Sequence, residues 1–270
     1  MRDFDTSPPP EFSSRPWGRV NYDRIGKLLA LLHPEERKLM TWLASTVYTG
    51  AGEIVDAGAF LGGSAACFAA GLRINRKVTR KDCRIHSYDL FRKGNWLPSQ
   101  LKEWDARAEG QSTVDLYHDQ LGENDFMTVL YAGDITQRSW SDRKIEILML
   151  DCSKTKPLND HCMRMFYPSL IPGDSYLVHQ DYAINSGLYW LHSTMYLLRD
   201  YFEHLATVDY GGTTLFRCIK AIPPEMVEEA IARQDEAPEA IRDAAIAWAN
   251  DLDQPKLARA ISYSHDFREE

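Results

Sequence analysis

The chain has 270 residues, enough for one large domain whose core needs no disulfide staples. Its formal charge of -8, from 31 basic against 39 acidic residues, speaks against a nucleic-acid backbone as the main partner. Five scattered cysteines (Cys67, Cys83, Cys152, Cys162 and Cys218) form no CxxC pair, which indicates neither a disulfide framework nor a cysteine zinc site. Most are expected to be buried as small apolar residues. No apolar run approaches the roughly 20 residues needed to span a bilayer, and the start has no signal-type apolar core. The expectation is a reduced, cytoplasmic globular protein that binds neither nucleic acid nor membrane.

Residues 1–33 read as an N-terminal arm or lid, since Pro8-Pro9-Pro10, Pro16 and Gly18 interrupt any periodicity. Trp17 and Tyr22 could fold part of it over a pocket. A helix is expected over 35–48, with Pro34 in its first turn, and Thr49-Gly50-Ala51-Gly52 then leads into a strand at 53–57. Further strands are expected at 84–88, 128–132, 145–150 and 176–178, with helices over 158–170 and 188–201. His204–Asp209 and Thr213–Ile222 read as a closing hairpin around Gly211-Gly212. Amphipathic helices at 225–233 and 238–251 make residues 223–270 a helical extension. Its stripe of Met226, Val227, Ala230 and Ile231 could cover the sheet or form a homo-oligomer contact. Residues 92–126 are long for a connection and read as an inserted functional element. Its Trp96 and Trp104, with Tyr189 and Trp190 further on, could stack on a ring or a sugar, although each alone reads as ordinary packing.

Alternating apolar strands and helices argue an α/β domain over 34–222, a mostly parallel sheet covered on both faces. Asp56, Asp89, Asp134, Asp151 and Asp181 all fall at or just past strand C-termini, where such sheets bind ligands. The first turn reads Asp56-x-Gly58-x-x-x-Gly62-Gly63-Ser64. A dinucleotide fingerprint needs a glycine where this chain has Phe60, which would crowd a pyrophosphate. A cofactor without one, such as S-adenosylmethionine, fits the turn better; a plain strand–helix turn with no ligand is the bland alternative.

The run Val55-Asp56-Ala57-Gly58-Ala59-Phe60-Leu61-Gly62-Gly63-Ser64-Ala65 resembles the cofactor motif of class I S-adenosylmethionine-dependent O-methyltransferases, and of the catechol O-methyltransferases in particular. The hairpin at 204–222 resembles the last two strands of that fold, and Gln180-Asp181-Tyr182 resembles the Asp-Asp-Tyr strand end of the macrocin-type sugar O-methyltransferases. The resemblance implies a Rossmann-like, seven-stranded, mostly parallel sheet with an antiparallel last strand. It implies methyl transfer to a hydroxyl of a small molecule or sugar-containing metabolite.

By the same resemblance, Gly58, Phe60, Gly62 and Ser64 shape the cofactor turn, and Asp56 lies near the cofactor's amino-acid end. Asp89, 27 residues beyond Gly62, would hold the ribose, and Asp134 would meet the adenine. Asp151, Gln180 and Asp181 would ligate a divalent ion such as Mg2+, which lowers the acceptor's pKa, with Lys154 as general base. Two points stay open. Counting from Gly173 without a gap shifts the ligand pair to His179-Gln180, and His179 is a rival base. Gln180 replaces an acid, which weakens the metal site and leaves room for a non-catalytic binding subunit. A nicotinamide oxidoreductase is the rival enzyme, with Phe60 and the hairpin against it.

Overall fold

The computed structural model describes residues 12–94, 106–184 and 187–266. Seven strands form one sheet: β1 (Glu53–Ala57), β2 (Ile85–Asp89), β3 (Thr128–Ala132), β4 (Ile145–Leu150), β5 (Tyr176–His179), β6 (Phe202–Thr207) and β7 (Thr214–Cys218). Their order is β3-β2-β1-β4-β5-β7-β6; β1 to β5 run parallel, and β7 inserts antiparallel between β5 and β6. The helices are α1 (Pro34–Trp42), α2 (Gly63–Ile74), α3 (Val114–Leu121), α4 (Lys156–Phe166), α5 (Tyr189–Leu197), α6 (Pro224–Arg233), α7 (Pro238–Asp251) and α8 (Pro255–Asp266). No helix among the described residues is long and apolar enough to cross a membrane.

Strand alternation divides the interior into two cores. Ile54, Ile147, Met149 and Val178 pack towards α1 and α2, whereas Val55, Leu148, Leu150 and Leu177 face α4, α5 and the C-terminal helices. All residues of β1 and β4 are buried, as a central parallel sheet requires.

From Phe12 onward the N-terminal segment is folded against the first core. Phe12 meets Trp42 edge-on at 5.4 Å between ring centroids, and Trp17, 1 % exposed, packs beside it. The Arg37 side chain on α1 ties the rest of that segment down. Its guanidinium donates to the carbonyl oxygens of Leu32, Ile25, Gly26, Leu28 and Ala30 at 2.9–3.4 Å.

The C-terminal region holds three helices where the sequence led us to expect two. In α8 the buried residues Leu257, Ala258, Ala260 and Ile261 are set among charged neighbours, a sparse stripe that becomes regular only once it packs. The α6 stripe faces inward: Val227 and Ala230 are buried, and Met226 and Ile231 pack against the second core. Three of the five cysteines, Cys67, Cys162 and Cys218, are buried. Trp96 and Trp104 lie outside the described residues.

Candidate active site

The C-terminal ends of the parallel strands open on a cavity of about 620 Å³. Gly58, Phe60, Ser64, Asp89, Asp134, Asp151, Lys154, Gln180 and Asp181 all line it; Asp56, Gly62 and His179, expected with them, do not, nor do Trp17, Tyr22, Tyr189 and Trp190. Ala30, Leu31 and Leu32, hung from Arg37, supply a further wall.

Local backbone chemistry explains the turn after β1. Gly58 has φ 101°, and a Cβ on it would stand 2.7 Å from the Asp151 carbonyl carbon. The turns after β1 and β4 can therefore touch only where a side chain is missing. Gly62, with φ 88°, enters α2 in the left-handed region, where a Cβ would strike the Tyr117 ring at 2.7 Å. No side chain among the described residues caps α2, so its first N–H groups remain available beside the cavity. Phe60 and Asp181, both lining the cavity, hold positive φ without being glycine.

Asp56 stands behind this turn. It is fully buried and accepts a hydrogen bond from Ser64 Oγ at 2.8 Å. Burial, opposed by that hydroxyl, pushes its carboxyl up to about 7. Its side chain braces the start of α2 and does not line the cavity.

Asp89 is aimed by main-chain donors. Its Oδ2 accepts from Phe60 N at 2.9 Å and its Oδ1 from Phe91 N at 3.0 Å. Burial raises its pKa against the pull of these N–H groups. Asp134 caps the turn Ile135–Gln137, its Oδ1 accepting from Thr136 N and Thr136 Oγ1, and these bonds lower its pKa. Both acids are steadied by neutral donors and leave their charge facing the cavity, so this end suits a ligand bearing positive charge and hydroxyl donors.

The opposite end is built differently. Lys154 Nζ donates to Asp151 Oδ1 at 2.6 Å, to Gln180 Oε1 at 3.2 Å and to Asp181 Oδ2. Burial alone would lower the lysine pKa, but Asp151 and Asp181 outweigh it and hold the ammonium above its ordinary value. Burial, opposed by Lys154, pushes the Asp151 carboxyl up to about 7. Trp190 Nε1 donates to Ser153 O at 2.9 Å and so secures the turn that carries Lys154. Lys156, close by in sequence, points elsewhere, to Asp160 and Asp235.

His179 is no part of this group. The register Leu150↔His179, with Gln180 N donating to Leu150 O, leaves Gln180 and Asp181 at the cavity. His179 falls on the same face as Leu177, fully buried, its ring 5.1 Å from Tyr182. Both its ring nitrogens are buried without a hydrogen-bond partner among the described residues. As a base it would have no route to the cavity.

The donor set also fails a test for magnesium. That ion demands a near-octahedral oxygen shell at about 2.0–2.1 Å. Here the point towards which Asp151, Gln180 and Asp181 converge is taken by the Lys154 ammonium, which already offsets part of their charge. Among the described residues no group of three His, Cys, Asp or Glu side chains is placed to hold a metal ion. The Mg2+ site expected at Asp151, Gln180 and Asp181 does not fit the residues as they stand.

Sequence reasoning missed two supports, Arg37 and Gln120, and offered Trp190 for stacking rather than for its bond to the Ser153 carbonyl. Gln120 accepts from Leu29 N and donates to Leu29 O and Leu61 O, joining the N-terminal wall to the first turn. Their partners are mostly main-chain carbonyls, which leave no residue signature to find.

The strand order, the reversed β7 and the ligand cavity at the strand ends are those of the class I S-adenosylmethionine-dependent methyltransferases, and this is the fold of the chain. Among solved structures, the O-methyltransferase NovP is similar, with a TM-score of 0.53 and 12% identity over 71% of this chain and 82% of its own. CalS11, a calicheamicin methyltransferase, is similar with a TM-score of 0.50 and 14% identity, over 67% of this chain and 76% of its own. No protein-family model and no curated protein matches the sequence.

Proposed function

We propose that the protein transfers the methyl group of S-adenosylmethionine to a hydroxyl of a small-molecule or sugar-containing acceptor. The observation that carries this reading is the division of one cavity into an open acidic end, Asp89 and Asp134, and a proton-handling end, Asp151 with Lys154. Asp89, held by two main-chain N–H groups, suits the ribose hydroxyls. The first turn of α2 suits a carboxylate, and Asp134 suits an amino donor on the adenine. Phe60 lies where a pyrophosphate would have to approach the backbone, which speaks against a nicotinamide dinucleotide.

Bound there, S-adenosylmethionine would supply a methyl on a sulfonium, whose S–CH3 bond breaks as the acceptor O–CH3 bond forms. The protein's own work is to align the acceptor and to take its proton. Asp151 suits the proton transfer, because it lines the cavity and a carboxyl pushed up to about 7 is poised to accept a proton near neutral pH. Lys154, the base expected from the sequence, is held charged by two carboxylates and suits the stabilisation of negative charge on the acceptor oxygen instead. The products are a methyl ether, S-adenosylhomocysteine and a proton passed from Asp151 to solvent. NovP and the calicheamicin methyltransferase CalS11 lend support to an acceptor of this class.

Calorimetry with S-adenosylhomocysteine and with reduced nicotinamide dinucleotide tests the reading. Saturable one-to-one binding of the first and none of the second is expected. Binding of the nicotinamide alone would overturn it.

A further inference from the structure

We infer that Lys154 is the resident cation of the acceptor end, standing where a divalent ion would otherwise sit, so that the protein works without a metal. The inference rests on the methyl-transfer reading above only for what the cation does. That a cation is built in follows from the contacts alone.

An ammonium has three N–H donors. Lys154 gives one each to Asp151, Gln180 and Asp181, side chains from the ends of two adjacent strands that meet at one point. A divalent ion would need these same oxygens in its own shell, and it could enter only by expelling a charged lysine from between two carboxylates. The three contacts are not equal. Those to Asp151 and Asp181 are charge-assisted, whereas Gln180 Oε1 is a neutral acceptor at 3.2 Å. The Gln180 contact is therefore the one an acceptor hydroxyl would replace, placing its oxygen on Nζ and beside the Asp151 carboxylate. The amide at position 180 follows from the same logic: a third carboxylate there would bind the ammonium too tightly to yield. Lysine and glutamine act together, one supplying the charge and the other a displaceable place on it.

Manganese, followed by electron paramagnetic resonance, reports ion binding without any turnover, and it can be titrated into the wild-type protein, Lys154→Met and the double variant Lys154→Met with Gln180→Asp. The wild type should leave the free manganese signal unchanged. Lys154→Met, with three oxygens freed, should take up one ion, and the double variant should bind it about tenfold more tightly because a carboxylate replaces an amide. Binding of S-adenosylhomocysteine, measured on the same samples with EDTA and with added magnesium, shows that each variant is folded and should not depend on the metal. Stoichiometric manganese uptake by the wild type would overturn the inference, as would folded variants that gain no manganese site. Failure of S-adenosylhomocysteine to bind the wild type would instead strike the methyl-transfer reading and leave the manganese result standing.

Discussion

The two ends of the cavity use the same residue type to opposite effect. At the end formed by β1, β2 and β3, the carboxylates of Asp89 and Asp134 are oriented by main-chain N–H groups and a threonine, and their charge stays open. At the end formed by β4 and β5, Asp151 and Asp181 share an ammonium from their own chain. An acid steadied by neutral donors keeps its field for an incoming cation, whereas an acid paired with lysine becomes part of a dipolar group that can exchange a proton. On the proposed function, the position of its partners, more than the number of acids, separates a binding end from a chemical end.

Substitution at each end sharpens this contrast. The largest expected effect comes from Lys154→Met, which should lower the rate of methyl transfer by about 10³-fold while changing S-adenosylhomocysteine affinity by less than about threefold. Single-turnover assays with labelled S-adenosylmethionine, set beside calorimetry, separate the two quantities. Asp89→Ala should do the reverse, weakening S-adenosylhomocysteine binding by about 100-fold, or about 3 kcal/mol, through loss of an oriented charged acceptor. Equal losses of rate and affinity in both variants would erase the distinction between the ends.

A smaller effect comes from beneath the cavity. Burial lowers His179 to about 3 and His192 to about 4, from an ordinary value of 6.5. Below pH 6.5 the unfolded chain binds protons at these two positions that the folded chain refuses, so their contribution to stability is full above that pH and falls as the solution is acidified towards pH 4, against the opposite slope of the buried Asp56 and Asp151 carboxyls. Each histidine should cost on the order of 1 kcal/mol per pH unit across this window, read from urea unfolding midpoints. His192→Phe should remove one histidine's share of the pH slope relative to the wild type, and identical slopes in the two proteins would remove this ring as a source.

Much of this arrangement is legible in the residue order. Strand-end acids and the Gly58–Ser64 turn are local patterns, and local patterns survive into the fold. A strand end is less forgiving, since a shift of one residue moves a side chain to the other face. His179 and Gln180 are adjacent in sequence, yet one faces the second core and the other the cavity. The misfit at the expected magnesium site has a similar origin: Asp151, Gln180 and Asp181 can be named from the sequence, but the place of Lys154 among them is a matter of three dimensions. Arg37 and Gln120 were invisible because they bind carbonyl oxygens, which every residue carries.

That last property has a consequence for how such a protein can change. The wall at Ala30, Leu31 and Leu32 is suspended from a guanidinium through its backbone oxygens. This part of its anchorage is blind to side-chain identity, whereas Leu32 and Ala30 also pack against the first core. The lining of the cavity can be rewritten at Leu31, the exposed member of the three, while the wall keeps its course and the strand-end acids keep their stations.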